Sequence, residues 1–331
     1  THPRGRKAQR YLVTGGAGFI GSHLCEYLLA RGRDVTVIDD LSTGRVGNIR
    51  HLRKDPRFRF IRASITDGAL LNRLAGKADV IVHLAAAVGV EKIIDDPVGT
   101  IETNVMGTEV VLKAALRHKC RVMLTSTSEV YGKGIKVPFN EADDVLLGAT
   151  DKSRWGYAAS KMVDEFLAFA YWHEYRLPVT ILRFFNTIGV RQTGQYGMVV
   201  PRFIGRALHG QPIQVYGSGR QSRCFCDGQD VVRAVASLAN EPCALGQVIN
   251  IRSQSEISIV ELARKVKRIT GSDSPIVRIP YDKAYAPGFE DMQRRIPDIS
   301  KGRRPIGWQP KISLDTTLAA VMAHLRGIHA R

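Results

Sequence analysis

The 331-residue chain predicts a doubly wound parallel α/β sheet with a smaller C-terminal lobe. Short apolar runs recur with helical stretches between them: Tyr11-Leu12-Val13-Thr14, Val35-Thr36-Val37-Ile38, Phe58-Arg59-Phe60-Ile61 and Val80-Ile81-Val82-His83. That alternation belongs to a parallel sheet rather than to a barrel or a bundle. The first run leads at once into Gly15-Gly16-Ala17-Gly18-Phe19-Ile20-Gly21 and a helical pattern. Beyond Asn186 turn residues multiply, through Gly189, Gly194, Gly197, Gly210, Pro212, Gly217 and Gly219, as a lobe of short elements requires. The predicted division is a basic tail over 1–10, a dinucleotide-binding domain over 11–188 and mainly a substrate lobe over 189–331.

A strand, a glycine turn and a helix N-terminus, in that order, form the context of a Rossmann dinucleotide site. Gly15 permits the tight turn, Gly18 lets backbone approach a pyrophosphate, and Gly21 lets the helix pack close. Phe19 and Ile20 open that helix. The second strand ends in Asp39, about 20 residues past the glycines, where a carboxylate accepts from ribose hydroxyls and repels a ribose phosphate. NAD is therefore favoured over NADP. Leu84, Ala85 and Ala86 close the fourth strand with small residues suited to cofactor, whereas His83 reads as a satisfied core histidine. Helices are predicted over 258–270 and 314–326.

The net charge is +17, from 48 Lys and Arg against 31 Asp and Glu. The basic residues are scattered, without a recognition helix or zinc-finger spacing, which favours anionic small substrates over nucleic acid. Arg4, Arg6, Lys7 and Arg10 read as a solvated tail. No long apolar run or signal-peptide core occurs, which predicts a soluble cytoplasmic protein without membrane contact. Cys25, Cys120, Cys224, Cys226 and Cys243 lack paired metal spacing and read as free thiols; no metal site is predicted.

The chemistry centres on Ser126-Thr127-Ser128-Glu129-Val130-Tyr131-Gly132 and Tyr157-Ala158-Ala159-Ser160-Lys161. The first string follows the apolar run Arg121-Val122-Met123-Leu124, so it stands at the carboxyl end of a strand. The second begins a helix, where residues four apart share a face. A Lys ammonium beside a phenol favours the phenolate of a group whose ordinary pKa is about 10, which makes Tyr157 a general base.

The glycine loop, the Ser-Thr-Ser-Glu string and the Tyr-x-x-x-Lys pair resemble the extended short-chain dehydrogenase/reductases that act on nucleotide sugars. Asn104-Val105-Met106-Gly107-Thr108, Arg183-Phe184-Phe185-Asn186, Val215-Tyr216-Gly217-Ser218-Gly219 and Arg223 extend the resemblance over nearly the whole chain. It implies that Thr127 and Tyr157 contact the sugar 4-hydroxyl and that Lys161 holds the nicotinamide ribose. Asn104 falls among the cofactor positions, and Ser64 stands where the family has an adenine-binding Asp. Asn186 and Arg223 are implied to bind the diphosphate, with Arg191, Arg202 and Arg220 as further candidates. Val200, Gln214 and Tyr216 complete the implied substrate set.

Within that family, Ser128-Glu129, Arg154-Trp155, Arg223-Cys224-Phe225 with Asp227, and Arg294-Arg295-Ile296-Pro297 are similar to the UDP-glucuronic acid decarboxylases, including the oxidative type. The resemblance implies oxidation at sugar carbon 4, then loss of the carboxylate on carbon 5 as carbon dioxide. Glu129 either keeps solvent-like stabilisation from the carboxylate or relays the replacing proton, and Arg295 orients the carboxylate or supplies that proton. The product is UDP-xylose if the hydride returns and UDP-4-keto-pentose if it does not. A nucleotide-sugar 4-epimerase or 4,6-dehydratase and a non-catalytic NAD-binding scaffold are the alternatives. Apolar residues on the helices near 105–116 and 162–171 suit a homodimer.

Overall fold

A computed structural model describes residues 8–87, 95–134, 136–152, 154–194, 198–253, 255–284, 296 and 298–329. The apolar runs form strands β1 (Arg10–Thr14), β2 (Asp34–Asp39), β3 (Phe58–Arg62), β4 (Val80–His83), β5 (Arg121–Thr127) and β6 (Val179–Phe184). Short strands follow: β7 (Thr187–Ile188), β8 (Ile213–Tyr216), β9 (Ser222–Cys224) and β10 (Cys226–Asp227). Strand β11 (Gln247–Ile251) then joins the main sheet, in the parallel order β11-β6-β5-β4-β1-β2-β3. The order reverses between β1 and β4, which opens a crevice at the carboxyl ends of those strands. All four residues of β4 are buried, the run of a strand covered on both faces.

Local chemistry sets the helix ends. Asp67 accepts from Leu70 N at 2.9 Å and starts helix Gly68–Ala75. Asp96 caps Pro97–His118, where proline occupies the first turn and Lys119 stops the helix in the left-handed region. Ser258 and Glu261 form a reciprocal capping box at Ile259–Thr270, which ends at left-handed Gly271. Helix Leu314–His329 runs past the predicted stop at 326. No helix among the described residues is long and apolar enough to cross a membrane.

The division at residue 188 does not separate the chain in space. Helix Gly228–Leu238 packs on helix Phe19–Leu29, and β11 pairs with β6, so this segment returns to the first core. A separate apolar core, including Val200, Phe203, Ile213, Val215, Leu262 and Leu318, holds the smaller lobe. Parallel β8 and β12 (Ile276–Ile279) contribute to that lobe. Arg10 is not tail: it begins β1 and its guanidinium grips Asp79 at 2.7 Å, which gives the charge a partner at the amino end of the central strands. Arg4, Arg6 and Lys7 lie outside the described residues.

Candidate active site

The crevice is a cleft of about 830 Å³. On one side it is lined by Gly15, Gly18, Phe19, Ile20 and Gly21, and by Asp39 and Leu84 to Ala86. Gly15 has φ +70°, and a Cβ there would meet Ala85 N at 2.8 Å, so the turn needs glycine twice over. Asp39 is 6% exposed and accepts from Ala17 N at 2.9 Å and Leu41 N at 2.8 Å. Burial raises its pKa above the ordinary carboxylate value, opposed by those two amide bonds. The same carboxylate thus shapes the glycine loop and stands at the cleft. Its remaining acceptor capacity suits ribose hydroxyls, and the whole lining fits a dinucleotide.

Strand β5 delivers Thr127 to the opposite wall, and a 3-10 turn over Ser128–Tyr131 presents Glu129. Glu129 N donates to Thr127 Oγ1 at 3.2 Å. The Thr127 hydroxyl keeps its own proton to offer, and its proximity favours the Tyr157 phenolate. Against it, burial and then the charges of Glu129 and Asp164 push the Tyr157 phenol above its ordinary value.

Lys161 has an anion of its own on the same helix. Lys161 Nζ donates to Asp164 Oδ2 at 2.7 Å, and both side chains are buried, so the ammonium is balanced by its own counter-ion one helical turn away. Tyr157, Lys161 and Thr127 nevertheless line one cleft, brought together from β5 and helix Arg154–Tyr175.

Several predicted site residues have other contacts. Asn104 Oδ1 accepts from Ala87 N at 2.9 Å and its Nδ2 donates to Ser160 Oγ at 3.1 Å, which ties the end of β4 to the Tyr157 helix. Ser64 Oγ meets Thr66 Oγ1 at 2.8 Å, while neighbouring Ile65 lines the cleft. Ser128 is buried. Asn186 lines the cleft in a left-handed conformation, φ +26°, and its Nδ2 donates to Cys224 O at 3.3 Å. Arg223 is 8% exposed and donates to Ser222 O at 2.8 Å. Arg202 stacks over Tyr216 at 4.1 Å, and Gln214 lies on β8. Val200 is fully buried in the lobe core, which leaves its backbone rather than its side chain for a ligand. Arg295 lies outside the described residues.

The sequence passed over other lining residues. Ser42, Thr43, Arg45 and Asn48 follow Asp39, and His324 and Leu325 arrive from the last helix. The first group had a signal in the polar turn after a dinucleotide Asp; the second had none, since only tertiary packing brings residue 324 to the cleft. His83 is 1% exposed between Thr14 Oγ1 (2.8 Å) and Thr108 Oγ1 (3.3 Å), and burial, with Lys161 second, lowers its pKa to about 3. Cys224 and Cys226 do not share a strand, since the chain breaks between β9 and β10 at Phe225. All five cysteines are free thiols.

A buried polar chain runs behind the site. Ser126 Oγ donates to Glu165 Oε1, Arg183 grips Glu165 with Nε at 2.9 Å and Nη2 at 2.7 Å, and its guanidinium lies 4.6 Å from the Tyr131 ring centre. Tyr131 donates to Asn250 Oδ1 at 2.8 Å. The chain locks β5, β6 and β11 together just below Thr127.

Comparison with known proteins agrees with this architecture. A UDP-N-acetyl-alpha-D-glucosaminuronate decarboxylase of Bacillus cytotoxicus is 42% identical, over 97% of this chain and 98% of that protein. UDP-glucuronic acid decarboxylase 1 of Arabidopsis thaliana is 38% identical, over 97% of this chain and 71% of that protein. Among solved structures, a UDP-glucuronic acid 4-epimerase from Bacillus cereus, in complex with UDP-glucuronic acid and NAD, superposes with TM-score 0.87 at 30% identity. It covers 97% of this chain and 100% of that one. The family model for GDP-mannose 4,6 dehydratase matches residues 12–321, and the chain belongs to that family of extended short-chain dehydrogenase/reductases.

Proposed function

We propose that the chain is an NAD-dependent decarboxylase of a UDP-linked uronic acid, with UDP-glucuronate as substrate. The observation that carries this is Thr127, Tyr157 and Lys161 lining one cleft that fits a dinucleotide, with Glu129 near enough for its charge to act on Tyr157. Decarboxylases of two UDP-uronates stand among the relatives, at 42% and 38% identity. Bound NAD supplies the acceptor for the carbon 4 hydride and a cationic ring that favours a nearby phenolate.

Glycines 15, 18 and 21, Asp39 and Ala85 hold the dinucleotide in this reading, and Lys161 anchors its nicotinamide ribose. Tyr157 takes the proton of the sugar 4-hydroxyl. The resulting ketone is β to the carboxylate, so breaking the carbon–carbon bond releases carbon dioxide and leaves its electron pair in an enolate. Thr127 and protonated Tyr157 donate to the enolate oxygen, each such donor worth roughly 3 kcal/mol. Glu129 stands near the base, either excluding the carboxylate from solvent-like stabilisation or relaying the proton that replaces it at carbon 5, and Arg295 orients the carboxylate or supplies that proton. Asn186 and Arg223 take the diphosphate, with Arg202, Tyr216, Gln214 and Ser128 completing the substrate set.

A second substrate has a specific argument. The 42% relative is named for the 2-acetamido sugar, and it matches this chain nearly end to end. Offering UDP-glucuronate and UDP-N-acetylglucosaminuronate in separate reactions with NAD, and following carbon dioxide, NADH and nucleotide masses, tests both. Loss of about 44 mass units, or of about 46 where the keto sugar leaves before the hydride returns, supports decarboxylation; untouched uronates with turnover of a neutral hexose nucleotide reverse it.

We also assign a homodimer to the face of helices Pro97–His118 and Arg154–Tyr175. Val98, Ile101, Met106, Val163 and Phe166 are 65, 42, 52, 43 and 67% exposed there. Apolar surface of that extent on two adjacent helices suits a second copy of the same pair.

A further inference from the structure

The Glu129 carboxylate is gripped by an arginine that the scheme above leaves unused. Arg154 Nη2 donates to Glu129 Oε2 at 3.1 Å, and the two side chains are 8% and 20% exposed. Arg154 begins helix Arg154–Tyr175, so a single helical turn carries both this guanidinium and Tyr157. A cation at the first residue of a helix stands at the positive end of its dipole, and burial adds desolvation. The Glu129 charge offsets both costs. Beside the pair, the Trp155 ring centre lies 5.6 Å from the guanidinium carbon, and Trp155, 3% exposed, is wedged against Gly148. Sequence-distant elements thus clamp one ion pair at the edge of the reaction site.

We propose that Arg154 is a positioning residue that fixes the Glu129 carboxylate beside Tyr157 and balances its charge, so that a uronate carboxylate enters a site already neutralised. The inference rests on the decarboxylase reading for its catalytic consequence. Glu129 opposes the Tyr157 phenolate by its charge, and an incoming carboxylate adds a second anion. Among the described residues, Lys161 is paired with Asp164 and Glu165 with Arg183. Lys133 stands 5.8 Å from the Trp155 ring centre on the outer side, and buried His83 is neutral.

Arg154→Gln, Arg154→Lys, Glu129→Gln and the Glu129→Gln/Arg154→Gln double variant separate this from a folding role. With NAD and the UDP-uronate that the native enzyme decarboxylates, Arg154→Gln is expected to lower kcat at least 30-fold and move its acid limb about one pH unit upward. Arg154→Lys keeps the charge and holds the limb where it is, with kcat down about tenfold from the lost fork geometry. In the Glu129→Gln background, adding Arg154→Gln costs less than threefold. Equal losses in both backgrounds, or an unmoved limb in Arg154→Gln, overturn the proposal. A readout independent of turnover uses 13C-labelled glutamate, with the Glu129 resonance assigned by its absence from Glu129→Gln. Its carboxyl should titrate at least one unit higher in Arg154→Gln than in the native protein. Coincident titrations sink the Arg154 assignment even if no uronate is turned over, whereas a shifted titration in a protein inert towards uronates sustains it and refutes only the decarboxylase reading.

Discussion

Thr127→Val isolates a single hydroxyl. Thr127 has extended backbone angles, φ −140° and ψ 154°, which suit a β-branched residue, so valine keeps the shape and the strand end. What is lost is the hydroxyl that favours the Tyr157 phenolate and the acceptor for Glu129 N. A hydrogen bond to a charged group contributes about 1.5–3 kcal/mol, and one pKa unit corresponds to about 1.36 kcal/mol, so the Tyr157 phenol should rise by roughly 1–2 units. A base with a higher pKa is ionised only at higher pH, so the acid limb of kcat moves upward by that amount. The donor to the developing enolate oxygen disappears at every pH, which lowers the plateau by about two orders of magnitude. The assay is the pH profile of carbon dioxide release from about pH 6 to about pH 10, with cofactor affinity measured in parallel. Affinity should be unchanged, because the glycine loop and Asp39 lie on other strands. A plateau that falls while the limb stays at its native pH would refute the reasoning, since it would mean that Thr127 does not set the ionisation of the base.

Three further outcomes follow from the same geometry. Glu165→Gln leaves the buried Arg183 guanidinium without its anion and should cost about 3–5 kcal/mol in urea unfolding; a loss under about 1 kcal/mol would show that the pair is not integral. His83 is neutral when folded and of ordinary pKa when unfolded, so below about pH 6.5 the unfolded chain binds the extra proton. Native stability should drop by about 2–3 kcal/mol more between pH 7 and pH 4.5 than that of His83→Asn, and parallel curves would contradict this. Phe166→Glu places a charge on the exposed helix face and should give a monomer by light scattering, whereas an unchanged native mass would remove that face as the dimer contact.

The fold was legible because its signals are local. Parallel strands buried on both faces require continuous apolar runs, and the turn after β1 requires glycine at residue 15, so both are written in adjacent residues. The same holds for the capping residues Asp67, Asp96 and Ser258, each of which satisfies amides within three residues of itself. The return of β11 to the main sheet was not legible. Gln247–Ile251 is an apolar run like any other, and nothing within it says that its partner is β6 rather than a strand of the smaller lobe.

For the site, sequence spacing alone put Tyr157 and Lys161 on one helix face, and the glycines with Asp39 at one cleft. Tertiary structure decided the charges. Lys161 is paired with Asp164, Glu129 with Arg154 and Glu165 with Arg183, so each of these charges meets a counter-ion that the folded chain places beside it. Periodicity determines which side chains share a face, whereas a pKa depends on every charge and dipole within several ångströms in a medium of low dielectric. Those neighbours are supplied by strands and helices distant in the chain.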